Sequence, residues 1–273
     1  LTPQSPLPSK TRKVLVGRFH TATDNVTIGG LTINNQAIEL ASQMSTQFVE
    51  GTGDGLLGLA WGQINTVTPK QVDTPVVNMI QQQGIPKSAE LFTAYLGSWR
   101  DTDDSDHGES FYTFGFIDDD TVKKSGEEIF YTTVDNREGF WTFDSTSATV
   151  NGKTIAQIGN TAIADTGTTL ALVSDETCKA IYAAIPGSIY DESNQGYVFP
   201  TTITADKLPI VTFAIGGKQF TVQKEDLGFA DAGNGMTYGG IQSRGSMTFD
   251  ILGDTFLKGI YAVSFFLRSP CCI

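Results

Sequence analysis

Asp165 stands in Ala164-Asp165-Thr166-Gly167-Thr168-Thr169, a carboxylate on a glycine turn flanked by threonine hydroxyls. A carboxylate held this way can take and return protons as a general acid or base. Asp and Gly are ordinary turn formers, so the tripeptide alone also fits a surface turn. Its flanks disfavour that reading. Ile163-Ala164 precede it and Leu170-Ala171-Leu172-Val173 follow, so the loop is expected to enter and leave the core. No second Asp-Thr-Gly and no Asp-Ser-Gly occurs in the 273 residues. Other chemistries lack their residues. His20 and His107 stand apart from any Ser or Cys motif, which disfavours a histidine-based triad. No Cys or His cluster has zinc spacing. The acidic run Asp101, Asp103, Asp104, Asp106 and Glu109 lacks the ligand-and-glycine register of an EF-hand. It reads as a solvated loop, as does Asp118-Asp119-Asp120. Neither a metal nor a cofactor is expected.

The elements that must position Asp165 are mostly strands. Alternating runs joined by two-residue turns mark three hairpins: Val26–Ile28 with Leu31–Ile33 across Gly29-Gly30, Ala148–Val150 with Lys153–Ile155 across Asn151-Gly152, and Val211–Ile215 with Lys218–Val222 across Gly216-Gly217. Helices are few. Thr74-Pro75 followed by Val76, Val77, Met79 and Ile80, with Gly84 as the stop, predicts one. Ser174 caps a second, with Asp175 and Glu176 in its first turn, an apolar face of Cys178, Ile181, Tyr182 and Ile185, and Pro186-Gly187 at its end. A short third is expected from Asp254 to Lys258.

Bulk properties narrow the setting. Forty per cent hydrophobic residues suffice for a core, and 29 glycines with 18% charged residues favour strands and turns over a helical bundle. The formal net charge of −12 argues against nucleic acid and anionic membrane as partners. It suits either an acidic medium or simple solubility. No run approaches the ~20 apolar residues of a membrane span. Leu1–Pro8 has no secretory-signal design and reads as a Pro-rich lead. Cys178, Cys271 and Cys272 give no internal disulfide framework, and the terminal pair has the wrong spacing for prenylation.

Four ordered segments resemble the pepsin-like aspartic endopeptidases, in particular the secreted fungal enzymes. Asp165-Thr166-Gly167-Thr168-Thr169 resembles their second active-site loop. Ile251-Leu252-Gly253-Asp254-Thr255-Phe256-Leu257 resembles the strand that crosses beneath that loop, with the acid that follows. Asp54-Gly55-Leu56-Leu57-Gly58-Leu59-Ala60 resembles the equivalent crossing strand of the first lobe. Thr113–Asp118, with Gly139-Phe140-Trp141, resembles the start of the second lobe. The likeness runs from about Asp24 to about Ala262.

The resemblance implies an all-β, bilobal acid-protease fold with a truncated first lobe and a nearly complete second one. It divides the chain into 1–23 outside the family pattern, a partial first lobe 24–100, a second lobe 101–263, and a tail 264–273. Asp165 would be one of two carboxylates that share a proton and activate water against a peptide carbonyl. Thr166, Leu252 and Gly253 would support the loop. Gly167, Thr168 and Thr169 would face carboxylate and substrate. Leu56 would line an apolar subsite or pack in the core, and Phe140 would edge the cleft. Asp254 would lie near the carboxylate or, preferentially, serve as the acid opening its helix. Lys10–His20 stands where the family has its first Asp loop and tyrosine flap, and Thr201 stands near where a mate for Cys178 is usual. The chain is therefore read as an aspartic endopeptidase by family that is inactive alone, or as a non-catalytic peptide- or protein-binding module. Polypeptide substrates, a monomer with some tendency to self-associate, and a secreted or vacuolar location are implied.

Overall fold

The structure, a computed structural model, describes residues 17–101, 103 and 108–266. The expectations for Leu1–Pro8, His107, Asp104, Asp106 and the terminal cysteines lie outside these residues. Strands dominate and the helices are short.

All three expected hairpins form. Gly29 and Gly30, at φ 55° and 83°, close one far longer than its local signal: Gly17–Ile28 pairs antiparallel with Leu31–Met44 from Ile28↔Leu31 out to Gly17↔Met44. Among the described residues this ribbon is a two-stranded sheet by itself. Asn151-Gly152 joins Ser147–Val150 to Lys153–Ala156, and Gly216-Gly217 joins Val211–Ile215 to Lys218–Thr221. These two hairpins share one sheet, because Val211–Phe213 also pairs with Ala148–Val150. A further antiparallel sheet runs in the order Ile189–Asp191, Gly196–Pro200, Met236–Gly239, Gly228–Gly233.

The sheet that matters for Asp165 is mixed. Its order is Ile241–Ser243, Ala171–Val173, Asp250–Leu252, Thr161–Ala164, Thr142–Asp144. Asp250–Leu252 is parallel to Thr161–Ala164 and antiparallel to Ala171–Val173, so it lies between the strands that enter and leave the Asp165 loop. Another sheet, Tyr261–Phe265, Leu91–Tyr95 and Phe111–Phe114, draws its strands from both sides of the expected boundary at residue 100.

Helix caps follow the sequence closely. Thr74 Oγ1 accepts from Val77 N at the start of Pro75–Gln81, whose Val76 and Met79 are buried. The left-handed residue at its end is Gln83 (φ 57°) rather than Gly84, whose N–H donates back to Met79 O. Ser174 Oγ accepts from Thr177 N to cap Asp175–Ala183, and Cys178, Ile181 and Tyr182 turn inward. Asp254–Leu257 forms the expected short helix. Two expectations need correction. Asp118-Asp119-Asp120 is no loop: Asp118 Oδ2 accepts from Thr121 N and Oγ1 and caps Asp119–Ser125. First-turn acids and last-turn Lys123 and Lys124 suit the dipole of that helix. Asp54–Ala60 is not a strand either, and Asp54 through Gly58 lie exposed.

The core is centred on the second half of the chain. Phe213, Phe256, Ile241 and Leu252 are fully buried, with Phe213 and Phe256 edge-on at 6.0 Å between ring centroids. Burial of each such side chain stabilises the fold by about 1.5–3 kcal/mol. An aromatic cluster joins the two halves: Trp61 lies 4.8 Å from Trp141 and 4.7 Å from Phe266, and Phe92 meets Trp141 edge-on at 5.5 Å.

Candidate active site

The Asp165 loop is held by the strand that passes between its two arms. Asp165 N donates to Leu252 O (3.3 Å), Asp254 N to Thr168 O (2.8 Å) and Thr255 N to Thr169 O (3.0 Å). The crossing requires Gly253. A Cβ there would lie 2.1 Å from Thr168 O and 2.5 Å from Leu170 O, inside van der Waals contact with rigid backbone. Leu252, fully buried, fixes the strand from below.

Within the loop both carboxylate oxygens accept hydrogen bonds. Gly167 N donates to Asp165 Oδ1 (3.0 Å) and Thr168 Oγ1 to Oδ2 (2.8 Å). Such charge-assisted bonds fix the carboxylate's orientation as well as its position. A Cβ on Gly167 would stand 3.1 Å from Asp165 Oδ1, so glycine also lets this contact close. Thr168, whose hydroxyl holds the carboxylate, is buried, and Thr169 is exposed. Asp165 is half-buried, while Thr166 and Gly167 are exposed.

The remaining sequence-derived positions are spread more widely. Phe140 is partly buried against the cluster of Ile163, Leu170, Leu172 and Ile251, beneath the arms of the loop. Leu56 is 69% exposed, in the segment corrected above. That segment is tethered at its end, where Trp141 Nε1 donates to Leu59 O (2.9 Å) and Trp61 N to Gly139 O (3.1 Å).

Asp254 fills both roles weighed for it. It opens the short helix, and it lies close enough to Asp165 to feel that charge. Burial above all, with repulsion from Asp165 and despite attraction from Lys258, pushes its carboxyl up to about 7. Its Oδ1 is buried with no hydrogen-bond partner among the described residues.

One supporting group escaped sequence reasoning. Arg244 Nη1 donates to Asp250 Oδ1 and to Asn160 Oδ1, both at 2.7 Å, and Asn160 Nδ2 donates to Asp250 Oδ2 (2.8 Å). Asp250 is fully buried, and desolvation raises its pKa against the pull of Asn160 and Arg244. This triad ties together the starts of the two parallel strands that lead to Asp165 and Gly253. The only local signal was an acid immediately before an apolar pair.

With this geometry in place, the chain's relatives are informative. The family model for eukaryotic aspartyl protease matches residues 16–268, reaching past the Asp24–Ala262 limits of the motifs. Aspergillopepsin-1 of Aspergillus pseudoglaucus is 40% identical over 241 residues, covering 88% of this chain and 57% of the relative. Endothiapepsin of Cryphonectria parasitica is 38% identical over 244 residues, covering 88% and 54%. The chain thus spans a little over half the length of these curated relatives. The crystal structure of aspartic proteinase from Irpex lacteus superposes with a TM-score of 0.71 at 24% identity, over 92% of this chain and 75% of that one, a likeness of fold. The chain belongs to the pepsin-like family of eukaryotic aspartyl proteases.

Proposed function

We propose that this chain carries one catalytic half of an aspartic-type endopeptidase, with Asp165 as one member of a two-carboxylate pair. In that chemistry the ionised carboxyl takes a proton from water as the oxygen attacks a peptide carbonyl, and the protonated one donates to the substrate. The observation that carries the reading is the seated loop: both oxygens of Asp165 are held by Gly167 N and Thr168 Oγ1 over a crossing strand fixed at Gly253. Extended polypeptides with bulky apolar residues beside the cleaved bond are the substrates. Gly167 and Thr169 face them, Leu56 and Phe140 supply apolar walls, and Thr166, Leu252 and Gly253 support the loop. Residues 24–100 belong to a first lobe and 101–263 to a second.

Because the 273 residues contain one Asp-Thr-Gly and the reaction takes two such acids, this polypeptide alone is inactive. The working environment is acidic, extracellular or vacuolar, where carboxylate protonation eases the self-repulsion of a chain with net charge −12. No helix among the described residues is long and apolar enough to cross a membrane. The test is hydrolysis of denatured globin at acid pH by the purified chain. No cleavage above that of Asp165→Asn is expected; pepstatin-sensitive cleavage lost in Asp165→Asn contradicts the half-site reading.

A further inference from the structure

Asn25-Val26-Thr27 is the one Asn-x-Ser/Thr triplet in the 273 residues, and the proteolytic reading leaves it unused. Such a triplet can carry an oligosaccharide only on an accessible surface, so its place in the fold decides what it means. It lies on the first strand of the long ribbon, just before the Gly29-Gly30 turn. Side chains alternate across a strand. Ile28 and Leu31 pack against the core and Ile33 is buried, so Val26, paired with Ile33, belongs to the inner face. Asn25 and Thr27 share the outer face, and both are exposed. There Thr27 Oγ1 meets Thr32 Oγ1 of the paired strand at 2.9 Å.

A bulge presents the asparagine. Asp24 pairs with Gln36 and Val26 with Ile33, so Asn25 stands opposite two residues, Asn34 and Asn35. Asn35 takes φ 52°, and its N–H donates to Asn25 Oδ1 (3.1 Å). A backbone N–H can only donate, so this bond fixes which end of the Asn25 amide is the oxygen. Nδ2 has no hydrogen-bond partner among the described residues. Asn34 anchors the bulge from the other side: its N donates to Gln82 Oε1 and its O accepts from Gln82 Nε2, both at 2.9 Å. The side chain is held by its oxygen, and its nitrogen is unengaged.

We propose that Asn25 is an N-glycosylation site whose Nδ2 accepts an oligosaccharide from a lipid-diphosphate-linked donor. Nδ2 attacks the anomeric carbon of the donor sugar. The nitrogen–carbon bond forms as the carbon–oxygen bond to the diphosphate breaks; the lipid diphosphate leaves with the bonding pair, and Nδ2 loses one proton. Oδ1 keeps both lone pairs, so the bond from Asn35 N survives in the product. This goes beyond the proteolytic reading and uses its extracellular or vacuolar location only as the route to the donor.

The test expresses the full 273-residue chain in yeast behind a cleavable secretory leader, with leader cleavage as proof of entry into the lumen. Medium and cell lysate are both analysed, so a retained chain is read as well as a secreted one. Peptide mass spectrometry should find one oligosaccharide on Asn25, released by peptide N-glycosidase to leave an aspartate in that place. Asn25→Asp keeps an acceptor for Asn35 N and removes the nitrogen, and Thr27→Ala removes the motif hydroxyl; both should lose the glycan completely. Thr27→Ser should retain it. The glycosylated chain and its enzymatically trimmed form should melt at the same temperature. A leader-cleaved chain without glycan, a glycan that persists in Asn25→Asp, or a melting temperature lowered by the attached sugar overturns the assignment. None of these results bears on the half-site reading, which the globin assay decides.

Discussion

Leu57 and Leu252 occupy corresponding places in one repeated pattern, yet one is nearly half exposed and the other has no exposed surface. The pattern is therefore not sufficient to make a core strand. Asp250–Leu252 becomes one because Thr161–Ala164 and Ala171–Val173 lie on either side and supply a ladder. Asp54–Ala60 has the same residue types and no ladder among the described residues. Burial is a property of neighbours, and the glycine that permits a tight crossing matters only where something crosses.

The sharpest way to break this comparison is to fill both glycines. Gly253→Val must displace two backbone carbonyls, and the chain is expected to accumulate unfolded; Gly58→Val should melt like the parent. Circular dichroism melts of both proteins check this, and equal melting would end the contrast. Leucine truncation is milder. Leu252→Ala should cost about 2–5 kcal/mol in urea unfolding, whereas Leu57→Ala should change stability by no more than ~0.5 kcal/mol.

A pH measurement sharpens the contrast further, because Asp254 follows Gly253 while apolar Leu59 follows Gly58. The Asp254 carboxyl is raised from 3.8 to about 7 in the folded chain, so the native state holds its proton more tightly than the unfolded one. Its stabilising effect is full below the unfolded value of 3.8 and is lost as pH rises through about 7. Asp254→Asn should flatten that decline, seen as urea midpoints that differ less between the two ends of this range than the parent's do. An unchanged slope would mean that burial of Asp254 does not control its ionisation.

What was legible in the sequence was local. The turns at Gly29-Gly30, Asn151-Gly152 and Gly216-Gly217 use positive φ, which the backbone adopts at Gly29, Gly30, Asn151, Gly152 and Gly216. Thr74 and Ser174 cap helices as their types require. The Asp165 loop was equally readable, because its glycine and hydroxyls act on a carboxylate within three residues. What was not legible depends on distant partners. Asn160, Arg244 and Asp250 come together across 90 residues of sequence, and nothing near any of them announces the other two. Asp118 was missed for a different reason: three adjacent acids suggest solvent, and only the Thr121 bonds reveal a cap.

The central claim is that the Leu252-Gly253 segment is held between two strands whereas Leu57-Gly58 has no strand partner among the described residues. Amide hydrogen exchange on the purified chain tests it residue by residue. The amides of Thr168, Asp254 and Thr255, bonded to Asp165 O, Thr168 O and Thr169 O, should be among the slowest to exchange, while those of Leu56, Leu57 and Gly58 exchange at nearly the free rate. Comparable protection of the two segments would contradict the account.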